Sequence, residues 1–259
     1  MLSRTAAALV PIFGRLTVTL DGDAELAPGS IVAANHTSLS DPAIVLAALR
    51  RVGVEPVVMA AAGLWRVPLL GRALTRGGHV PVHRADPRAA RCLEDAAAAL
   101  ARGRLVLIYG EGGIPDFESA TETPPHRFRS GLARLAAATG APVVPLGQAG
   151  ARRLMSGGGP RQFAHLASAP LRRPDLRVHI GAPVRLTGDL PTATAQARRA
   201  VTAAWLTATG RADVSAGSPA RRNGTARSAW VRRPSWPSRW PPRDRPGSAR
   251  TCRTSRWAP

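Results

Sequence analysis

The segment Asn35-His36-Thr37-Ser38-Leu39-Ser40-Asp41 sets an imidazole and a carboxylate five residues apart. Histidine is the side chain best suited to exchange a proton near neutral pH. A carboxylate on one ring nitrogen would fix the tautomer and stabilise the imidazolium formed when the other nitrogen takes a proton. General base catalysis of this kind contributes about 10²–10⁴-fold in rate. A second role competes for Asp41, because Asp41-Pro42 also reads as a helix start, where Asp caps and Pro suits the first position.

Other candidates are weaker. The run Gly110-Glu111-Gly112-Gly113 could cradle a phosphate, but Pro115 stands where a dinucleotide turn needs its third glycine and no helix opens promptly. No GxSxG elbow and no P-loop occurs. His79 and His83 fall on one face of an expected strand without a third ligand, so no metal site is expected.

The elements that position these residues alternate. Short β-branched runs predict strands at 16–20, 31–34, 56–59, 79–82, 105–109, 143–146 and 176–180. Helical periodicity lies between them. One helix begins at Asp41-Pro42 with Ile44, Val45, Ala48 and Leu49 inward. A second begins at Asp86-Pro87 with Leu93, Ala96, Ala97 and Leu100 inward. A third carries Leu132, Leu135, Ala136 and Thr139 and stops at Gly140. A fourth, about 192–209, buries Ala197, Val201, Trp205 and Ala208. The expected fold is α/β, a single domain with a mixed, largely parallel sheet flanked by helices. His36 then sits where a strand meets a helix, the place where sites gather in such folds.

Three regions are expected: an apolar or amphipathic segment over 1–14, the domain over 15–210, and a tail over 211–259. The first is too short to span a bilayer and contains Pro11; no run of about 18 apolar residues occurs elsewhere. The tail holds 12 Arg against Asp213 and Asp244, is dense in Pro and Ser, carries four of the six Trp, and shows no hydrophobic period. Such composition predicts disorder. Either its Arg and Trp bind anionic membrane, or it is an accidental reading of GC-rich sequence with no selected role. Two cysteines make no disulfide framework, which suits a reducing compartment. The net charge of +20, all of it from Arg because Lys is absent, favours a phosphate-bearing partner without choosing among lipid, coenzyme A and nucleic acid.

Motif order narrows the choice. NHTSLSD resembles the first motif of the glycerolipid acyltransferase family. GRALTRGGHVPVHR, ending at Arg84, resembles the second block. Tyr109-Gly110-Glu111-Gly112 resembles the third, usually Phe-Pro-Glu-Gly-Thr-Arg-Ser. The run Arg127 to Ala133, followed by Gly140 to Pro145, resembles the closing helix and fourth motif. The resemblance covers about residues 15–185. It implies that His36 deprotonates an acceptor hydroxyl attacking an acyl thioester, that Asp41 orients His36, and that Arg84, Glu111 and Gly112 hold the acceptor's polar head. Pro145 would shape the pocket wall. The chain departs from the pattern where Gly113-Ile114-Pro115 replaces Thr-Arg-Ser and where the second block's common Lys falls among Ala60, Ala61 and Ala62. Either Arg127 or Arg129 replaces the missing cation, or the acceptor is a lipid alcohol without phosphate.

The expected protein is a lysophospholipid acyltransferase, with 1-acylglycerol 3-phosphate the leading acceptor. The donor is acyl-CoA or acyl carrier protein, acting as a substrate with no cofactor. An anionic membrane surface is the expected partner, contacted peripherally on its cytoplasmic face through surface Arg and the apolar N-terminal stretch. No nucleic acid is expected. An Arg-rich nucleic-acid-binding protein is the non-enzyme alternative, supported by charge alone.

Overall fold

The computed structural model describes residues 1–83, 91–114, 121–156 and 160–211. Seven strands form one sheet: β1 (Arg15–Leu20), β2 (Ile31–Ala34), β3 (Val57–Ala61), β4 (Val80–Val82), β5 (Val106–Tyr109), β6 (Val143–Ala149) and β7 (Asp175–Ile180). Their spatial order is β1-β7-β6-β2-β5-β3-β4. Every neighbouring pair is parallel except β6 and β7, so β1 and β7 run against the other five. This is the mixed, largely parallel sheet the alternation of elements predicts.

Strands in the middle of such a sheet are buried on both faces and need apolar side chains at consecutive positions. Strand β2, Ile-Val-Ala-Ala, meets that demand with all four residues buried. Val32 and Ala34 enter one core and Ile31 and Ala33 the other. The first core is closed by α1 (Leu2–Phe13) and α2 (Asp41–Arg51), the second by α4 (Arg91–Ala101), α5 (Gly131–Thr139) and α8 (Leu190–Thr209). Helix α8 starts on Asp189, whose carboxylate accepts the Thr192 N–H at 2.9 Å, and ends on Gly140's counterpart, Gly210, at φ 72°. It lies so close to β6 that a Cβ on Gly147 would fall 2.1 Å from the Trp205 backbone nitrogen. Only glycine permits that approach.

Several elements differ from the sequence expectation. Residues 2–13 form a helix through Pro11 and pack on α2, burying Ala6 and Val10 in the first core. With α1 over its outer face, α2 buries Leu46 and Ala47 as well as the expected stripe of Ile44, Val45, Ala48 and Leu49. A 3₁₀ turn (Ala62–Arg66), α3 (Pro68–Arg76), the short α6 (Ala151–Leu154) and α7 (Pro160–Arg172) were not anticipated. Their apolar residues are interleaved with Arg or interrupted by Pro, which hides the period. His79 is not part of the strand it was assigned to. It precedes β4, and its Nδ1 accepts the Val58 N–H at 3.0 Å. Burial lowers the His79 pKa, with a further contribution from the nearby Arg104 charge, in keeping with a neutral acceptor ring. Asp86-Pro87 and the expected tail beyond Arg211 lie outside the described residues.

Candidate active site

Register brings the site together. Ala34, the last residue of β2, pairs with Tyr109, the last of β5, and with Leu146 of β6. Two residues beyond those strand ends come His36 and Glu111, side by side. The His36 backbone N–H donates to Glu111 Oε2, and the His126 backbone N–H donates to Glu111 Oε1 at 2.9 Å. Glu111 therefore clamps two loops. Burial pushes its pKa up to about 7, against the opposing effect of the two N–H donors.

Asp41 opens α2 but does not serve as its cap; Ser40 occupies that position. The Asp41 carboxylate turns back into the preceding loop. Oδ2 lies 2.9 Å from His36 Nδ1, accepts the Ser38 N–H at 2.8 Å and accepts the Thr37 N–H as well. Three donors on one oxygen offset the cost of burying a carboxylate that is wholly removed from solvent. Placement in the first turn of α2 adds the favourable field of the helix N-terminus. With Nδ1 carrying the proton toward Asp41, His36 Nε2 is left with a lone pair, and it has no hydrogen-bond partner among the described residues. The ring is set in plane by Tyr109, stacked at 4.4 Å between centroids and 27° between planes. Burial drives the Tyr109 phenol pKa well up, with the Asp41 charge adding to it, so the phenol stays protonated.

A second set of bonds holds the loop from the far side. Asn35 donates to the Gln148 carbonyl at 3.1 Å and accepts the Gln148 N–H at 2.8 Å, extending the β2–β6 ladder by a side chain. The Ser38 and Ser40 hydroxyls donate to the Met155 and Ala151 carbonyls. The three side chains that make these bonds, Asn35, Ser38 and Ser40, are buried. These bonds hold the loop that carries the imidazole, while Asp41 Oδ1 and Gln148 Oε1 are buried without a hydrogen-bond partner.

Of the residues in the sequence expectation, the structure joins His36, Asp41, Glu111, Gly112 and Arg129. Gly112 has φ 67°, and a Cβ there would lie 2.5 Å from Arg129 Cδ, so the Arg129 side chain runs across the glycine. Arg129 is tied down by its own N–H, which donates to the Gly110 carbonyl at 2.8 Å. Among the described residues its guanidinium has no ion-pair or hydrogen-bond partner. Arg127 is exposed two residues earlier. Pro145 is buried within β6, opposite Ala33. Arg84 lies outside the described residues. Tyr109 and the Asn35–Gln148 bonds were missed; the signal available was that both expected strands end at these positions. No cluster of three or more metal-ligating side chains occurs among the described residues.

The family model described as Acyltransferase matches residues 15–148. The chain belongs to the acyltransferase family. Among curated proteins, this acyltransferase chain is 28% identical over 158 residues to a chloroplastic 1-acyl-sn-glycerol-3-phosphate acyltransferase of Brassica napus, covering 60% of the chain and 40% of that relative. It is 29% identical over 133 residues to the chloroplastic enzyme of the same description from Arabidopsis thaliana, covering 50% of the chain and 34% of the relative. The chain thus spans well under half the length of these relatives. Its fold is similar to the crystal structure of the 1-acyl-sn-glycerophosphate acyltransferase of Thermotoga maritima, with a TM-score of 0.59 at 19% identity, covering 85% of this chain and 80% of that one.

Proposed function

We propose that this chain transfers a fatty acyl group from a thioester, acyl-CoA or acyl carrier protein, to the free hydroxyl of a lysophospholipid, with 1-acylglycerol 3-phosphate the leading acceptor. The reaction would take place peripherally at the cytoplasmic face of a membrane. The observation that carries the reading is the His36–Asp41 pair, with Nδ1 held at 2.9 Å and Nε2 left unpaired. In this mechanism Nε2 takes the acceptor hydroxyl proton as that oxygen attacks the thioester carbonyl. The carbon–sulfur bond then breaks, and the departing thiolate recovers the proton from the imidazolium. Asp41 stabilises the imidazolium between the two steps. No acyl-enzyme forms.

The similarity to plant 1-acyl-sn-glycerol-3-phosphate acyltransferases supports a phosphate-bearing acceptor. Arg129, across Gly112, is a cation suited to that phosphate and able to serve in place of one at Ile114. Ile114 itself favours a second reading, in which the acceptor is a lipid alcohol without phosphate.

Acyl transfer from labelled acyl-CoA and acyl carrier protein to lysophosphatidic acid and to non-phosphorylated lipid alcohols tests both. The expected result is acylation of lysophosphatidic acid that Arg129→Ala weakens about tenfold through KM, the loss of one charge-assisted contact. Acylation of the alcohol alone, untouched by Arg129→Ala, supports the second reading. Transfer to nothing in the panel removes both.

A further inference from the structure

A pocket of about 140 Å³ opens where β6 and α8 end and β7 begins. It is not the His36 site. Tyr109, on which the His36 ring stacks, packs against the first core, and Leu176 and Val178 belong to that core. Strand alternation turns Arg177, between them, to the other face of the sheet. There its Nη1 lies 3.7 Å from the place a Cβ on Gly210 would take, at the end of α8.

Three elements deliver one guanidinium each to this pocket. Arg177 comes from β7. Arg153 comes from α6, which is drawn against the start of β7: a Cβ on Gly150 would fall 2.1 Å from the Asp175 carbonyl oxygen, so only glycine lets the chain pass. Arg211 follows the cap of α8. Its N–H donates to the Leu206 carbonyl at 2.9 Å, and its guanidinium carbon is held over Trp205, 5.8 Å from the ring centroid. All three are exposed, and none has an ion pair or a side-chain hydrogen bond among the described residues. Two carboxyl groups line the pocket as well, and both are engaged. Asp175 is bound to Arg15 at 2.8 Å. Glu122 Oε1 accepts the Gly150 N–H at 2.6 Å, while its Oε2 is buried without a partner and burial raises its pKa. A Glu122 that holds its proton on Oε2 is a further donor to an anion.

We propose that this pocket binds a phosphate monoester, gripped by the guanidiniums of Arg153, Arg177 and Arg211, at a site separate from the one where His36 acts. Three planar forks from three directions match the three terminal oxygens of a phosphate, whereas a carboxylate offers two oxygens in one plane. A dianion also offsets three cations better than a single charge does. The volume admits the phosphate and the first atoms of its ester. Coenzyme A presents such a group in its 3′-phosphate, and so do free phosphate monoesters. The inference goes beyond the proposed reaction and does not rest on it.

Calorimetric titration of the full chain tests it, in the Arg129→Ala background so that the cation proposed for the acceptor does not contribute. Inorganic phosphate is expected to bind, and acetate to bind at least about tenfold more weakly. Arg177→Gln should weaken phosphate binding about tenfold, the loss of one charge-assisted contact, and Arg153→Gln/Arg177→Gln/Arg211→Gln should weaken it further. Arg102→Gln/Arg104→Gln/Arg134→Gln removes as much charge outside the pocket and should bind phosphate as before; melting curves show that each variant is folded. Coenzyme A and 3′-dephospho-coenzyme A separate the two sources. A preference for coenzyme A that the pocket variants abolish identifies the 3′-phosphate as the occupant, and equal binding of the two identifies a free phosphate monoester. The inference is overturned if phosphate does not bind, if acetate binds as tightly, if the pocket variants bind unchanged, or if the variant outside the pocket weakens binding as much. Phosphate binding that follows this pattern in a chain that transfers no acyl group would uphold the pocket and sink the proposed reaction.

Discussion

Two His–Asp pairs flank β6, and they are not equivalent. On the β2 side, His36 has Nδ1 on Asp41 and leaves Nε2 unpaired among the described residues. On the β7 side, His179 has Nδ1 2.9 Å from the Thr19 hydroxyl and Nε2 3.1 Å from Asp21 Oδ1. Thr19 is directly opposite His179 in the β1–β7 ladder, and Asp21 Oδ2 also accepts the Ala182 N–H. The second pair is a cross-strand brace that ties the edge strand to the sheet. Proximity of imidazole and carboxylate is common to both; what separates a base from a brace is whether one ring nitrogen remains for a substrate.

The sharpest way to break this contrast is to truncate each ring. His36→Ala should lower kcat about 10²–10⁴-fold with melting temperature nearly unchanged, while His179→Ala should leave kcat within a few-fold and lower the melting temperature. Steady-state kinetics with calorimetry on both variants checks it, and equal losses of activity would erase the distinction. Exchanging the carboxylates sharpens it. Asp41→Asn should cost about 100-fold in kcat with little change in KM, because the imidazolium loses its counter-charge, and Asp21→Asn should cost no activity.

Glu111 offers a pH-dependent signature on the His36 side alone. Its folded pKa of about 7 lies above the ordinary 4.5, so the folded chain holds this proton more tightly than the unfolded chain. Its contribution to stability is therefore full below about pH 4.5 and is lost as pH rises through about 7, a change of order 3 kcal/mol at most. Glu111→Gln should flatten that part of the stability curve, measured by urea denaturation at pH 5, 6, 7 and 8. An unchanged slope would remove Glu111 as its source. The smallest effect is expected for Thr19→Val, about 1 kcal/mol of stability and no change in kcat.

Much of the site was legible because local patterns encode it. The strand Ile31–Ala34 and the helix after Asp41-Pro42 follow from an apolar run and a helix-start signal, and they place His36 and Asp41 within one turn of each other. Glu111 was legible as a site residue, yet its geometry was not: it touches the His36 and His126 backbones through both carboxylate oxygens. That contact exists because β2 and β5 are neighbours, which neither strand's residues announce. His79 shows the converse. Its strand pattern was real but began one residue later, and a contact to Val58 in another strand decided its role.

The sequence by itself determined the alternation of elements, the order of the motifs and the closeness of His36 to Asp41, since each rests on spacings of a few residues governed by backbone geometry; that Asp41 turns back onto His36 and does not cap α2 was decided by the structure. Only the tertiary structure decided that Tyr109 stacks on His36, that Arg129 lies across Gly112 and that His179 is consumed by a brace. Those facts depend on which strands become neighbours. Neighbour choice is settled by burial summed over the whole sheet, a quantity that no single segment carries.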